Sequence, residues 1–189
     1  MLDETARARI LDFVRPLSVG LDGSTNYGYV ERRLTVARRL RDRQRQLQPG
    51  DEVDEDRLFL LAAFAGLPDR RVAGGRTELL LQGAGVPPAE IATLFRSLKR
   101  FEAEPRTLEE RLVRDAGLLE SVGAYGVAQL VVQGARERQT LLEMSEEIVA
   151  RVGGVRFSTA AGDEAGAEGV LFARDFAARL AQEVRRFEG

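Results

Sequence analysis

Four carboxylates, Glu109, Glu110, Asp115 and Glu120, fall within one short stretch of a 189-residue chain that has no histidine and no cysteine. Two carboxylates can divide general-acid from general-base work when their surroundings push their pKa values apart. Spacing alone does not bring these four together, because helix positions five or more apart need not share a face. Nucleophilic catalysis has less to build on. Without imidazole or thiol, a serine or threonine needs a lysine or carboxylate as its base. Lys99 is the only lysine among 28 basic residues, and Ser97 is its only near serine; a surface side chain is the simpler reading. The glycine-rich run 152–159 has neither P-loop spacing nor the Lys-Ser/Thr end that cradles phosphate, so it reads as a flexible loop.

The arginines 32, 33, 38, 39, 41, 43 and 45 could track a phosphate backbone. They are spread around most of a helix rather than along one stripe, and no aromatic follows Tyr29 in it. A solvated face, together with general use of Arg in place of Lys, accounts for them, and nucleic acid is disfavoured as a partner.

Residues 107–132, TLEERLVRDAGLLESVGAYGVAQLVV, carry two glycines three apart inside an apolar, helix-like run. Glycine is a poor helix former, so their presence points to close approach by another helix. The stretch resembles the pattern T-L-E-x-x-I-V-x-D-A-D-R-L-D-A-x-G-A-x-G-I-A-R of the small all-helical bacterial branch of the HD-domain phosphohydrolases. Thr107, Leu108, Glu109, Val113, Asp115, Ala116, Gly123, Ala124, Gly126 and Ala128 match it, Val127 replaces Ile, and Gln129 replaces Arg. Tyr29 to Ala37, YVERRLTVA, resembles the family's H-x-x-R-V-x-x-x-A, with Arg32 and Ala37 kept and Tyr29 where the histidine belongs. Residues 61–67, LAAFAGL, resemble A-A-L-L-H-D, which puts Gly66 and Leu67 at the His-Asp pair. Gly117 stands at the metal-binding Asp of D-A-D. Residues 85–91 resemble a family helix start, and residues 172–183 resemble its closing helix.

The resemblance implies an all-α, single-domain HD-domain-like helical bundle over residues 1–189 that has lost its metal ligands. In that family, imidazoles and carboxylates hold a divalent metal, which orients phosphate and lowers the pKa of a bound water. Tyr29, Gly66, Leu67 and Gly117 offer neither group, so no metal or other cofactor is expected. Asp69 and Asp115 lie beside motif positions; each is read as a solvated or capping carboxylate, the rival being a magnesium site held largely through water. Tyr29, Gly66, Leu67, Asp69, Asp115 and Gly117 then define a remnant pocket, apolar or mixed in character. The expected function is a catalytically inactive pseudo-phosphohydrolase that binds a protein partner or a small ligand there. The alternative is a divergent phosphohydrolase acting on a nucleotide or other phosphate ester through the remaining carboxylates.

Composition agrees with a compact helical domain. Hydrophobic residues make up 44% and charged residues 31%, ordinary values for a globular chain able to bury one sizeable core. A formal net charge of −2 gives no global attraction to nucleic acid or anionic lipid. Without cysteine there are no disulfides or thiolate metal sites. No apolar run reaches the length of a membrane span, and the opening residues do not form a secretory signal, so a cytoplasmic protein with no membrane partner is expected. A homo-oligomer is compatible with all of this.

The elements that would position these residues follow from apolar periodicity. Leu2, Ala6, Ile10, Phe13, Val14 and Leu17 recur at helical steps, ending near Pro16. Residues 21–28 read as a loop, 29–47 as a helix stopped by Pro49-Gly50, and Asp54 can cap a third helix that Pro68 ends. A short helix over 77–82 and one opened by Pro87-Pro88 follow. Thr107 and Glu110 form a capping-box pair. Residues 121–132 have the β-branched content of a strand, but the family register makes them helical. Residues 139–152 form a helix, 153–169 the one long irregular stretch, and Val170, Ala173, Phe176, Ala177, Leu180, Val184 and Phe187 the buried face of a closing helix.

Overall fold

A computed structural model describes residues 1–18, 28–67 and 74–188. Among these the regular structure is all helical: α1 (Glu4–Leu17), α2 (Gly28–Leu47), α3 (Glu55–Phe64), α4 (Gly75–Gly83), α5 (Pro88–Arg100), α6 (Leu108–Glu120), α7 (Gly123–Arg136), α8 (Leu141–Gly154) and α9 (Ala160–Glu188). The all-α expectation holds. The helices group into two compact units, Met1–Arg114 and Asp115–Gly189, and the division falls inside α6. The expected loop at 21–28 lies mostly outside the described residues, as do Pro68 and Asp69.

The first unit is organised around α3, which packs on α1, α2 and α5. Leu58 to Phe64 are seven consecutive buried residues, and a helix apolar on all sides must be surrounded. Asp54 starts it as expected: its side chain accepts from the N–H groups of Asp56 and Arg57, relieving two of the unpaired donors at a helix N-terminus. Ala6, Ile10 and Val14 of α1 and Val30, Leu34, Ala37 and Leu40 of α2 are buried, which confirms the helical periodicity.

In the second unit α9 packs on both α7 and α8, around Val127, Leu130, Ile148, Val152, Ala173 and Ala177. Residues 123–132 are helical within α7, and Ser121 and Val122 lead into it. The expectation of a long irregular stretch over 153–169 fails, because α9 already begins at Ala160. Glycines that looked like linker residues lie on one face of that helix at 162, 166 and 169. A Cβ at Gly162 would overlap the Asp115 carboxylate, one at Gly166 would overlap the Phe157 ring, and one at Gly169 would lie 3.1 Å from Val122 Cγ2. They are glycine because the helix runs against these groups. At the other end Phe187, expected to be buried, is 83% exposed.

Gly123 and Gly126 divide in the same way. Gly123 has φ +72°, and its Cβ position lies 3.6 Å from Gly169 Cα, so a neighbouring helix does approach. Gly126 is crowded instead by its own lead-in, since a Cβ there would overlap the Ser121 carbonyl group. It permits a tight entry into α7 rather than a helix crossing. Gly134 meets Met144 of α8, another close approach between helices.

Candidate functional site

Tyr29 opens α2, and Gly66 and Leu67 follow the end of α3. The first unit brings Tyr29 and Gly66 together. Gly66 has φ +74°, a left-handed conformation that favours glycine, and a Cβ built on it would overlap Tyr29 Oη and lie 3.0 Å from Cζ. Tyr29 and Gly66 therefore interlock: the phenol occupies the space that any side chain at 66 would need. Arg33, one turn on, fixes the ring from its own helix. Its Nη2 donates to Tyr29 Oη at 2.8 Å, and its guanidinium carbon lies 5.0 Å from the ring centroid, within cation–π range. Arg33 is only 7% exposed. In sequence it falls among the arginines expected at the surface, and its i, i+4 spacing from Tyr29 is the available signal of this contact. Leu67 is buried as well.

Asp115 and Gly117 belong to the second unit, where Gly117 is half-buried. Asp115 is fully buried. It accepts from Ser158 N at 2.8 Å, Thr159 N at 2.9 Å and Thr159 Oγ1 at 2.7 Å. Thr159 Oγ1 in turn accepts from Gly162 N at 3.0 Å. The carboxylate thus sits at the start of α9, where unpaired N–H groups and the helix dipole favour an anion. Of the two readings offered for Asp115, the capping one describes its contacts.

Two other carboxylates of the acidic group, Glu109 and Glu110, have separate structural tasks. Glu109 accepts from Asp54 N at 2.9 Å. Glu110, fully buried, takes both terminal nitrogens of Arg100 at 2.8 and 2.7 Å, Ser97 Oγ at 2.6 Å and Arg106 N at 2.6 Å. Burial alone would raise its pKa, but the hydrogen bonds from Ser97, the Arg106 N–H and Arg100 outweigh that and hold it below the ordinary glutamate value. Its reciprocal bonds with Thr107, each 3.4 Å, complete the expected capping box. Ser97, considered only as a neighbour of Lys99, is buried for this reason, while Lys99 is exposed as read. Glu110 is bonded to Ser97, Arg100 and Arg106, and Asp115 to Ser158 and Thr159.

The arginine helix is partly neutralised. Arg41 and Arg45 pair with Glu55, and Arg41 also pairs with Asp42 at 2.8 Å. Among the described residues no three of Asp, Glu, His or Cys lie close enough to hold a metal ion, and no helix is long and apolar enough to cross a membrane.

Neither a protein-family model nor a curated protein matches the chain. Solved structures share its fold. The Lin1889 protein of Listeria innocua is 17% identical with a TM-score of 0.71, covering 98% of each chain. A Lactobacillus plantarum protein is 14% identical with a TM-score of 0.73, covering 98% of this chain and 100% of its own. Bacillus subtilis YpgQ, solved in complex with ADP, is 14% identical with a TM-score of 0.68, covering 94% of this chain and 97% of its own.

Proposed function

We propose that this chain is a cytoplasmic HD-domain-like protein that no longer hydrolyses phosphate esters and acts by binding a small ligand or a protein partner. The observation that carries the reading is the Tyr29–Gly66 interlock. By the family register these positions held two histidines. Here one is filled by a phenol, and the other has been reduced to a glycine in a left-handed conformation with no room for a side chain. A single lost ligand would leave a gap that water or a neighbour could fill. Two positions shaped to each other describe a site rebuilt around packing. Asp115, the motif carboxylate that survives, gives its oxygens to the start of α9.

A nucleoside diphosphate is the first small ligand to test, because YpgQ, which shares the fold, was solved with ADP. The rival reading keeps a phosphohydrolase that uses Asp69, Asp115 or other remaining carboxylates. Incubation with ADP, with and without Mn²⁺, while following both melting temperature and phosphate release separates the two. The binding reading expects ADP to remain intact in either condition, and a ligand that binds the folded state raises its melting temperature. Manganese-dependent phosphate release that disappears in Asp69→Asn would establish the rival.

A further inference from the structure

The second unit presents an outer face without charge. From Ser121 to Ala135 the sequence has no Asp, Glu, Lys or Arg, in a chain that is 31% charged. Burial does not account for the omission. Val127, Leu130 and Gly134 turn into the core, whereas Tyr125, Ala128, Val132 and Ala135, at steps of three, four and three, share the opposite face of α7 and are all exposed. Tyr125 is 43% and Val132 50% exposed. The outer face of a surface helix ordinarily carries charged or polar residues; depletion of charge around an aromatic residue characterises the centre of a protein interface. α9 extends the face. Gly123 lies against Gly169, and farther along both helices Val127 and Leu130 share a core with Ala173 and Ala177, so α7 and α9 run side by side in the same direction. Phe172, one turn beyond Gly169, is 43% exposed and stacks on Phe176 with ring centroids 6.4 Å apart.

Area and charge decide what covers this face. At 1.5 Å per residue, residues 123–135 span about 20 Å, and two helices of about 10 Å diameter are about 20 Å wide. The resulting patch of roughly 400 Å² is about half of the roughly 800 Å² that each partner gives to a standard interface. One docked helix would cover only part of it; a second two-helix face covers all of it and reaches the charged rim. That rim is complementary to itself. Glu168, Phe172, Asp175 and Arg179, at steps of four, three and four, share the outer face of α9 and are exposed. Glu168 and Arg179 stand equally far from the midpoint between Ala173 and Arg174. An antiparallel copy therefore sets Glu168 of one protomer opposite the partner's Arg179, and Asp175 opposite the partner's Phe172 rather than another carboxylate. We propose that the chain pairs with a second copy of itself, α7 and α9 of one protomer lying antiparallel across those of the other about a two-fold axis, so that one patch meets itself. The uncharged faces of α7 are covered, and the two Glu168–Arg179 contacts fix the register. The pairing is independent of the Tyr29–Gly66 contact and of the function proposed above.

Analytical ultracentrifugation of the full chain from about 1 µM to about 1 mM tests it, since an interface at the small end of the standard range dissociates within that span. A monomer–dimer equilibrium is expected. Val132→Glu places a charge at the centre of the face and should weaken dimerisation at least about tenfold. Because Val132 is half exposed, circular dichroism of that variant should match the wild type. Glu168→Arg and Arg179→Glu should each weaken the dimer, and the double reversal, Glu168→Arg with Arg179→Glu, should recover most of the loss, which a merely local effect of either residue would not do. A chain that stays monomeric up to about 1 mM leaves the face to a different partner and overturns the proposal. So does a dimer indifferent to Val132→Glu, or a double reversal that dimerises no better than the single variants.

Discussion

At Gly66 the group that forbids a side chain is the Tyr29 phenol, whereas at Gly162 it is the Asp115 carboxylate. Both glycines lie against a residue that the family register places at or within a metal motif. In the first region the phenol fills the space beside Gly66, and Arg33 tethers it by one hydrogen bond and its ring face. In the second region a buried carboxylate accepts from the N–H groups and hydroxyl at the start of α9. One contact is a fit of shape between a phenol and a glycine, and the other is a carboxylate bound to the start of a helix. Residue type at a motif position therefore does not report function by itself; the partners of its polar atoms do.

If Asp115 is structural, its loss should be the costliest change. Asp115→Ala leaves a buried and a half-buried N–H group and a buried hydroxyl without this acceptor, and a buried polar group left unsatisfied costs about 1–3 kcal/mol. The expected loss of about 3 kcal/mol or more is measurable by chemical denaturation. Near-wild-type stability would contradict the comparison at its second half.

Gly126→Leu should come next. The atom it would meet is the Ser121 backbone rather than a movable side chain, and overpacking of this kind costs about 1–3 kcal/mol. An unchanged melting temperature would show that the lead-in to α7 relaxes freely.

The Tyr29–Gly66 interlock is tested more sharply by a double-mutant cycle. Gly66→Ala should destabilise through both the collision with Tyr29 and the left-handed backbone. In a Tyr29→Ala background the collision disappears, and only the backbone cost of about 1–2 kcal/mol remains. Additive effects would mean that the two residues are not fitted to each other.

The smallest effect concerns acid. Burial of Glu110 is outweighed by its hydrogen bonds from Ser97, the Arg106 N–H and Arg100, so its folded pKa lies below its unfolded one. Its contribution is therefore complete above the ordinary glutamate pKa of about 4.3 and is lost as pH falls through the depressed folded value. Denaturation followed below about pH 4.3 should show this loss, and Glu110→Gln should flatten that part of the profile.

Much of the fold was legible because helix starts announce themselves locally. Asp54 before Leu58, Pro87-Pro88 before Ile91, and Thr107 three residues ahead of Glu110 each named a terminus that the structure contains. The start of α9 was not legible from its neighbours. Its N-terminal anchor is Asp115, more than forty residues earlier, so the glycines at 162, 166 and 169 looked like linker residues. Their common helical face, continued by the buried Ala173 and Ala177, was a usable signal, since a linker has no reason to keep that period. At the site, family register singled out Tyr29 and Gly66, but no spacing rule reveals that one fills the volume the other vacates. Arg57 and Arg100 were equally hidden, because their significance depends on Glu110, which bonds them across chain separations that periodicity does not report.

The central claim is that the motif positions no longer serve a metal. Its most direct test is elemental analysis of the wild-type protein purified in Mg²⁺, Mn²⁺ and Fe²⁺, paired with its melting temperature in each ion. The account predicts no stoichiometric metal and no rise in melting temperature, since a metal bound to the folded state must stabilise it. One tightly held ion per chain, accompanied by phosphoester hydrolysis and lost in Asp69→Asn, would contradict it.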